Sequence, residues 1–227
     1  MIERPSPNFD ARPAGRPIDM VVIHYTGMRS AKAAVARLCD PEAGVSAHYV
    51  IDEDGSVIRL VGEAKRAWHA GQAWWRGEAD INARSIGVEL VNPGHEFGYR
   101  AFPEAQMSAL EGLAHAILGR HPIAARNVVG HADVAPRRKR DPGELFDWQR
   151  LAAAGVGLWP VAAAPATADL EALRAMLAEV GYETKDLTAT LTAFQRRFRP
   201  VCIDGVADAE TAELVAAVVT LYRQAGP

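Results

Sequence analysis

An α/β fold, a mixed central β-sheet flanked by helices and followed by a small C-terminal three-helix unit, is predicted by three features of this 227-residue sequence. Strand-like and helix-like patterns alternate up to about Trp159, as an α/β unit requires. The run Ile18-Asp19-Met20-Val21-Val22-Ile23-His24 is almost continuously apolar and rich in β-branched residues, the mark of a strand buried on both faces. Beyond Trp159 the composition turns to alanine and proline, and amphipathic stretches follow.

The elements follow in order. The strand from Ile18 ends at a histidine, His24, and Ser30 to Leu38 reads as a helix. His48 to Ile51, the turn Asp52-Glu53-Asp54-Gly55, and Ser56 to Val61 read as strand, turn and strand, because Asp-Gly supplies the positive φ of tight hairpins. Ser85-Ile86-Gly87-Val88-Glu89-Leu90 is another strand. Pro103 to Leu118 carries Leu110, Leu113, Ala114 and Ile117 at three- and four-residue spacing, which predicts an amphipathic helix packed on the sheet. Asn127 to His131 is a short strand ending, again, at a histidine, and the proline- and charge-rich stretch Ala132 to Phe146 is a loop suited to a site. The segment Trp159 to Pro165 reads as a linker, dividing a first domain at 1–164 from a second at 165–227. In the second, Leu170, Leu173, Leu177 and Val180 share one helical face, ended by Gly181; Leu187, Leu191, Phe194 and Phe198 share another; Leu214, Val215, Val218, Val219 and Tyr222 a third. Three short helices make a marginal core, which favours leaning on the first domain.

With 49% hydrophobic and 23% charged residues the chain sits among globular proteins and away from disordered ones. A net charge of −3 gives no broad positive field despite the local run Arg137-Arg138-Lys139-Arg140, so nucleic acid is excluded as a partner. No secretory leader or lipobox cysteine stands near Met1, and no apolar stretch approaches the ~20 residues of a membrane span. The sequence as written is therefore expected to be cytoplasmic and monomeric, with a periplasmic or envelope location as the alternative if a leader has been removed. Cys39 and Cys202 fall in different predicted domains and are expected to be free thiols.

His24, His131 and Asp141 are candidate ligands of a catalytic zinc ion, which takes three nitrogen or oxygen ligands and leaves a fourth position open. The ends of two strands in one sheet can lie close together although far apart in sequence, and Asp141 closes the set from the loop. On pattern alone, ordinary polar histidines explain the residues as well. Glu89 lies in an otherwise apolar strand: it faces solvent from an edge strand, or it is a general base beside activated water. Lys139, two residues before Asp141, shares its side if the loop is extended and would stabilise an oxyanion; otherwise it belongs to a solvated basic loop.

Five segments carry a resemblance: Val21 to Thr26, Val45 to Tyr49, Ala67 to Gly71, Asn82 to Leu90, and His131 to Pro136 with Arg138 to Gly143. Together, in this order, they resemble the zinc-dependent N-acetylmuramoyl-L-alanine amidases of the amidase type 2 family, whose fold is shared with peptidoglycan recognition proteins. The resemblance implies zinc at His24, His131 and Asp141, catalytic roles for Glu89 and Lys139, and no organic cofactor. It implies a peptidoglycan or muropeptide substrate, cut between N-acetylmuramic acid, intact or 1,6-anhydro, and L-alanine. Trp68 and His69 match a segment lining the substrate groove, and Tyr25, His48 and Asn82 are further candidates for the groove or for support of the ligands. Phe194-Gln195 with Asp204-Gly205-Val206-Ala207-Asp208-Ala209-Glu210-Thr211 resembles a three-helix peptidoglycan-binding domain, for which a purely stabilising helical cap is the alternative. Recognition proteins of the same fold, which bind without cutting, and zinc hydrolases of unrelated amides remain rival readings at this stage.

Overall fold

The computed structural model describes residues 1–160 and 169–224; the linker residues Val161 to Pro165 and the boundary expected at 164 lie outside them. Eight strands form among the described residues: β1 (Ile2–Glu3), β2 (Phe9–Ala11), β3 (Met20–Tyr25), β4 (Tyr49–Ile51), β5 (Val57–Arg59), β6 (Lys65–Ala67), β7 (Ser85–Leu90) and β8 (Val128–Gly130). Six of them make one sheet in the order β1-β5-β4-β7-β3-β8, with β4 and β5 joined as an antiparallel hairpin and every other pair parallel. β2 and β6 form a separate antiparallel ribbon. The helices are α1 (Ala31–Cys39), α2 (Ile81–Arg84), α3 (Gly94–Phe97), α4 (Glu104–Arg120), α5 (His131–Val134), α6 (Trp148–Ala153), α7 (Leu170–Val180), α8 (Leu187–Phe198) and α9 (Ala209–Gln224).

The strand read from Ile18 is thus third in the chain, because two and three residues of β1 and β2 are too short to show a period. β8 stops at Gly130, and His131 opens α5 instead of ending the strand. β7 lies between β4 and β3, so Glu89 is not on an edge.

Side-chain alternation then decides what each sheet face meets. Val21 and Ile23 of β3 and Ile86, Val88 and Leu90 of β7 pack against Leu110, Leu113, Ala114 and Ile117 of α4. Met20 and Val22 point the other way, into a cluster with Val129, Trp75 and residues of α7, α8 and α9: Leu173, Leu177, Phe194, Val215 and Val218. The C-terminal helices therefore share a hydrophobic core with the sheet, each fully buried Leu or Phe contributing roughly 1.5–3 kcal/mol. Aspartates cap α7 and α8, Asp169 accepting from Ala172 N–H and Asp186 from Ala189 N–H. α1 covers the outer part of the same face through Leu38, which clusters with Val50, Ile58 and Leu60. By the same alternation His24 and Glu89 emerge on this face, at the carboxyl ends of their strands. No helix of the described residues is long and apolar enough to cross a membrane, and Cys39 and Cys202 are both free.

Candidate active site

Three donor atoms converge where β3 and β8 end. His24 Nδ1 lies 2.9 Å from His131 Nδ1 and 3.0 Å from Asp141 Oδ2, and His131 Nδ1 lies 3.0 Å from the same oxygen. All three residues are buried. β3 aims the first ring, the turn from β8 into α5 aims the second, and the loop after α5 returns the carboxylate, its backbone fixed by the Ala132 N–H donating to the Asp141 carbonyl at 2.8 Å.

The partners on the far side of each ring decide where the protons are. His131 Nε2 lies 3.0 Å from the Ala70 carbonyl, which can only accept, so in the neutral ring this nitrogen carries the hydrogen and Nδ1 presents a lone pair. Ser85 donates its one hydroxyl hydrogen to Ile81 O at 2.7 Å and so accepts from His69 Nε2 at 3.1 Å. His69 Nδ1 must then accept from His24 Nε2 at 3.0 Å, which leaves His24 Nδ1 bare as well. Burial above all, with His131 adding to it, pushes His24 down to about 4, consistent with a neutral ring. With both rings neutral, two lone pairs and a carboxylate oxygen face one another with no proton between them, an arrangement that repels itself unless a cation sits among the three. The donor set fits a metal ion.

His69 reaches His24 only because residue 87 is glycine: a Cβ there would collide with the His69 ring. Asn82 Oδ1 accepts from the His69 and Ala70 N–H groups at 3.2 and 2.8 Å, fixing both the ring that holds His24 and the carbonyl that holds His131. His48 is fully buried and accepts at Nδ1 from Gly87 N–H at 3.0 Å. Burial and the neighbouring Arg12 guanidinium push it down to about 3.

A cavity of about 660 Å³ opens over the cluster, its wall including Glu89, Lys139, Trp68, Tyr25, His95 and α1 residues Ala34 and Leu38. Of the sequence-predicted residues, His24, His131, Asp141, Glu89, Lys139, Trp68, Tyr25 and His69 all border it, whereas His48 and Asn82 lie beneath it as supports. Glu89 is partly open to the cavity, yet its Oε2 is buried with no hydrogen-bond partner among the described residues. Burial pushes the carboxyl up to about 8, Asp141 adding to the shift and Lys139 opposing it. In the basic run, Arg137 pairs with Glu183, and Arg138 donates to the Ala70 and Gln72 carbonyls, so only part of it is a solvated loop. Sequence reasoning missed His95: its Nδ1 accepts from the Tyr25 hydroxyl at 2.8 Å and its Nε2 donates to Glu144 at 3.1 Å. It also missed Ser85 and Gly87, which look like ordinary strand residues.

A mixed, mostly parallel α/β sheet with a metal-competent His, His, Asp cluster and a desolvated carboxylate at the carboxyl ends of its strands defines a hydrolase-type centre. Residues 14–144 match the family model described as N-acetylmuramoyl-L-alanine amidase, and the chain belongs to that family. It is 40% identical over 235 residues to N-acetylmuramoyl-L-alanine amidase AmiD of Escherichia coli K12, covering 91% of this chain and 84% of the relative. The solved complex of E. coli AmiD with the substrate anhydro-N-acetylmuramic acid-L-Ala-D-γ-Glu-L-Lys superposes with a TM-score of 0.83 at 39% identity, over 93% of this chain and 92% of that one. AmpDh3 of Pseudomonas aeruginosa superposes with a TM-score of 0.82 at 32% identity, over 93% and 94%. The 1,6-anhydro-N-acetylmuramyl-L-alanine amidase AmpD of Citrobacter freundii is 34% identical but covers 66% of this chain and 87% of its own length.

Proposed function

We propose that the protein hydrolyses the amide bond between N-acetylmuramic acid, intact or 1,6-anhydro, and L-alanine in peptidoglycan or its fragments. In this reading zinc is held by His24, His131 and Asp141, in a catalytic unit at 1–164 followed by a helical, peptidoglycan-binding-like unit at 165–227. The observation that carries it is the convergence of two bare imidazole nitrogens and one carboxylate oxygen within 3.0 Å of one another, beside an unpartnered carboxylate oxygen in the same cavity. Two nitrogens and one oxygen suit zinc with an open fourth position. Substrate class is supported by the relatives AmiD and AmpD, whose names describe that cleavage.

With an ion bound, the site gains a Lewis acid that acidifies water and polarises a carbonyl. Glu89 accepts the proton of the attacking water and returns it to the departing alanine nitrogen, a role open to a carboxyl whose Oε2 has no other hydrogen-bond partner among the described residues. Lys139, on the same cavity wall, donates to the oxygen that becomes negative as the carbonyl is attacked. His69 and Ala70 keep both imidazoles in the ligating tautomer, and Trp68 and Tyr25 bound the groove for the sugar and peptide.

The test is incubation of the zinc-loaded protein with purified sacculi and, separately, with anhydro-muropeptide, followed by mass spectrometry. Release of peptides with a free L-alanine amine supports the reading. Untouched substrates from the fully metallated protein would refute it.

A further inference from the structure

The C-terminal helices reach the metal-competent centre at Asp133, where a buried arginine meets the turn. Arg197, on α8, pairs with Asp133 of α5 at 2.8 Å, and both side chains are almost wholly buried. Asp133 stands two residues after His131. Its Oδ2 also accepts from the Gly130 N–H at 2.7 Å, and its Oδ1 accepts from the Tyr182 hydroxyl at 2.6 Å. Arg197 donates in addition to the Val128 carbonyl at 3.2 Å, and its guanidinium lies 4.0 Å from the Trp148 ring centroid. The backbone on the amino side of His131 is therefore held at Gly130 by Asp133 and at Val128 by Arg197.

The other side of that turn is closed as tightly. A Cβ on Gly130 would lie 2.6 Å from Pro142 Cδ and 3.3 Å from Trp148. Pro142 follows Asp141 directly, and Trp148 is the ring on which Arg197 rests. One guanidinium thus braces, through Asp133 on one side and Trp148 on the other, the segments that carry two of the three candidate ligands. It does so from outside, since Arg197 is not in the cavity wall. A carboxylate as buried as Asp133 requires such a cation, because losing the partner leaves an uncompensated charge in the turn itself.

We infer that Arg197 is a positioning residue for the metal centre, fixing through Asp133 the turn that aims His131 Nδ1 at His24 and Asp141. The C-terminal helices are then part of the site's construction, whatever else they bind. The inference rests on the metal reading above.

Zinc affinity, measured by competition with a chromophoric chelator well below the melting temperature, and the visible spectrum of the cobalt-substituted protein provide the test. Arg197→Met and Asp133→Asn should each weaken zinc binding about tenfold or more and shift the cobalt bands, the size expected when support of a ligand is removed. Leu177→Ala, which thins the same interface without removing a polar group of the turn, should lower the melting temperature and leave affinity and spectrum as in the wild type. Should Arg197→Met fail to fold, Tyr182→Phe, which deletes only the bond to Oδ1, should weaken binding in the same direction. Wild-type affinity and spectrum in the foldable variants, or equal weakening in Leu177→Ala, would overturn the inference. A wild-type protein that takes up no zinc would instead overturn the metal reading itself.

Discussion

His24 and Glu89 are register partners on the adjacent parallel strands β3 and β7, and their side chains leave the sheet on the same face. The candidate ligand and the candidate base are thus held by backbone pairing in the middle of the sheet, not by a loop. Replacing Glu89 with glutamine keeps shape and removes the base without touching a donor atom. Glu89→Gln is expected to bind zinc as the wild type does while kcat on anhydro-muropeptide falls by about 10²–10⁴, the usual worth of general acid–base catalysis. Metal content and turnover measured on the same preparation check this.

The same carboxyl makes a prediction about stability. In chelator-treated protein its folded pKa is raised from 4.5 to about 8. Between those values the native state binds the proton more than the unfolded chain does, so the protonated group favours folding below about pH 4.5, and that contribution is lost as pH rises through about 8. Metal-free Glu89→Gln, which cannot ionise there, should gain melting temperature relative to metal-free wild type as pH goes from about 5 to about 8. A difference between the two proteins that stays flat across this window would contradict the desolvation argument.

The longest elements were legible in the sequence because the helices repeat a period and the central strand is almost continuously apolar. β3, β7, α1, α4 and the three C-terminal helices each present enough apolar residues in register to declare a face. Lys65-Arg66-Ala67 declares nothing, and it becomes β6 only because Phe9 to Ala11 lies beside it. His24, His131 and Glu89 were nameable from residue type in or beside strands, and Asp141 from the loop that follows His131. The direction of a side chain was not: His48 and Asn82 share the groove segments in sequence, yet both turn beneath the cavity to hold Gly87 and the His69–Ala70 backbone. Nor does spacing reveal that Ser85 orients His69, or that Arg197 finds Asp133 across 64 positions.

Gly87 offers a way to disturb the site without altering any group that ligates or reacts. Gly87→Ala puts a methyl group into the His69 ring, which rests on the bare backbone of β7. The ring must move, which costs about 1–3 kcal/mol as overpacking and breaks the hydrogen bond that keeps His24 in its ligating tautomer. Urea denaturation should register the lost stability, and chelator competition should register weaker zinc binding. His69→Ala should weaken binding likewise, by roughly 10–100-fold. Normal zinc affinity in both variants would remove His69 from the account of the site.

Because Phe194, Leu173, Leu177 and Val215 share one cluster with Met20, Val22 and Val129 of the sheet, the C-terminal helices and the sheet should unfold together. Helix loss followed by far-ultraviolet circular dichroism and tryptophan emission, which sums Trp68, Trp74, Trp75, Trp148 and Trp159 of the first unit, should give coincident transitions. Phe194→Ala should lower stability by about 3–5 kcal/mol, as a buried aromatic ring leaves a cavity that the surroundings fill only partly. It should move both transitions equally. If the helical signal melts first while the tryptophan signal holds, the cluster is not one cooperative core, and the sheet keeps its site without help from the helices that cover its face.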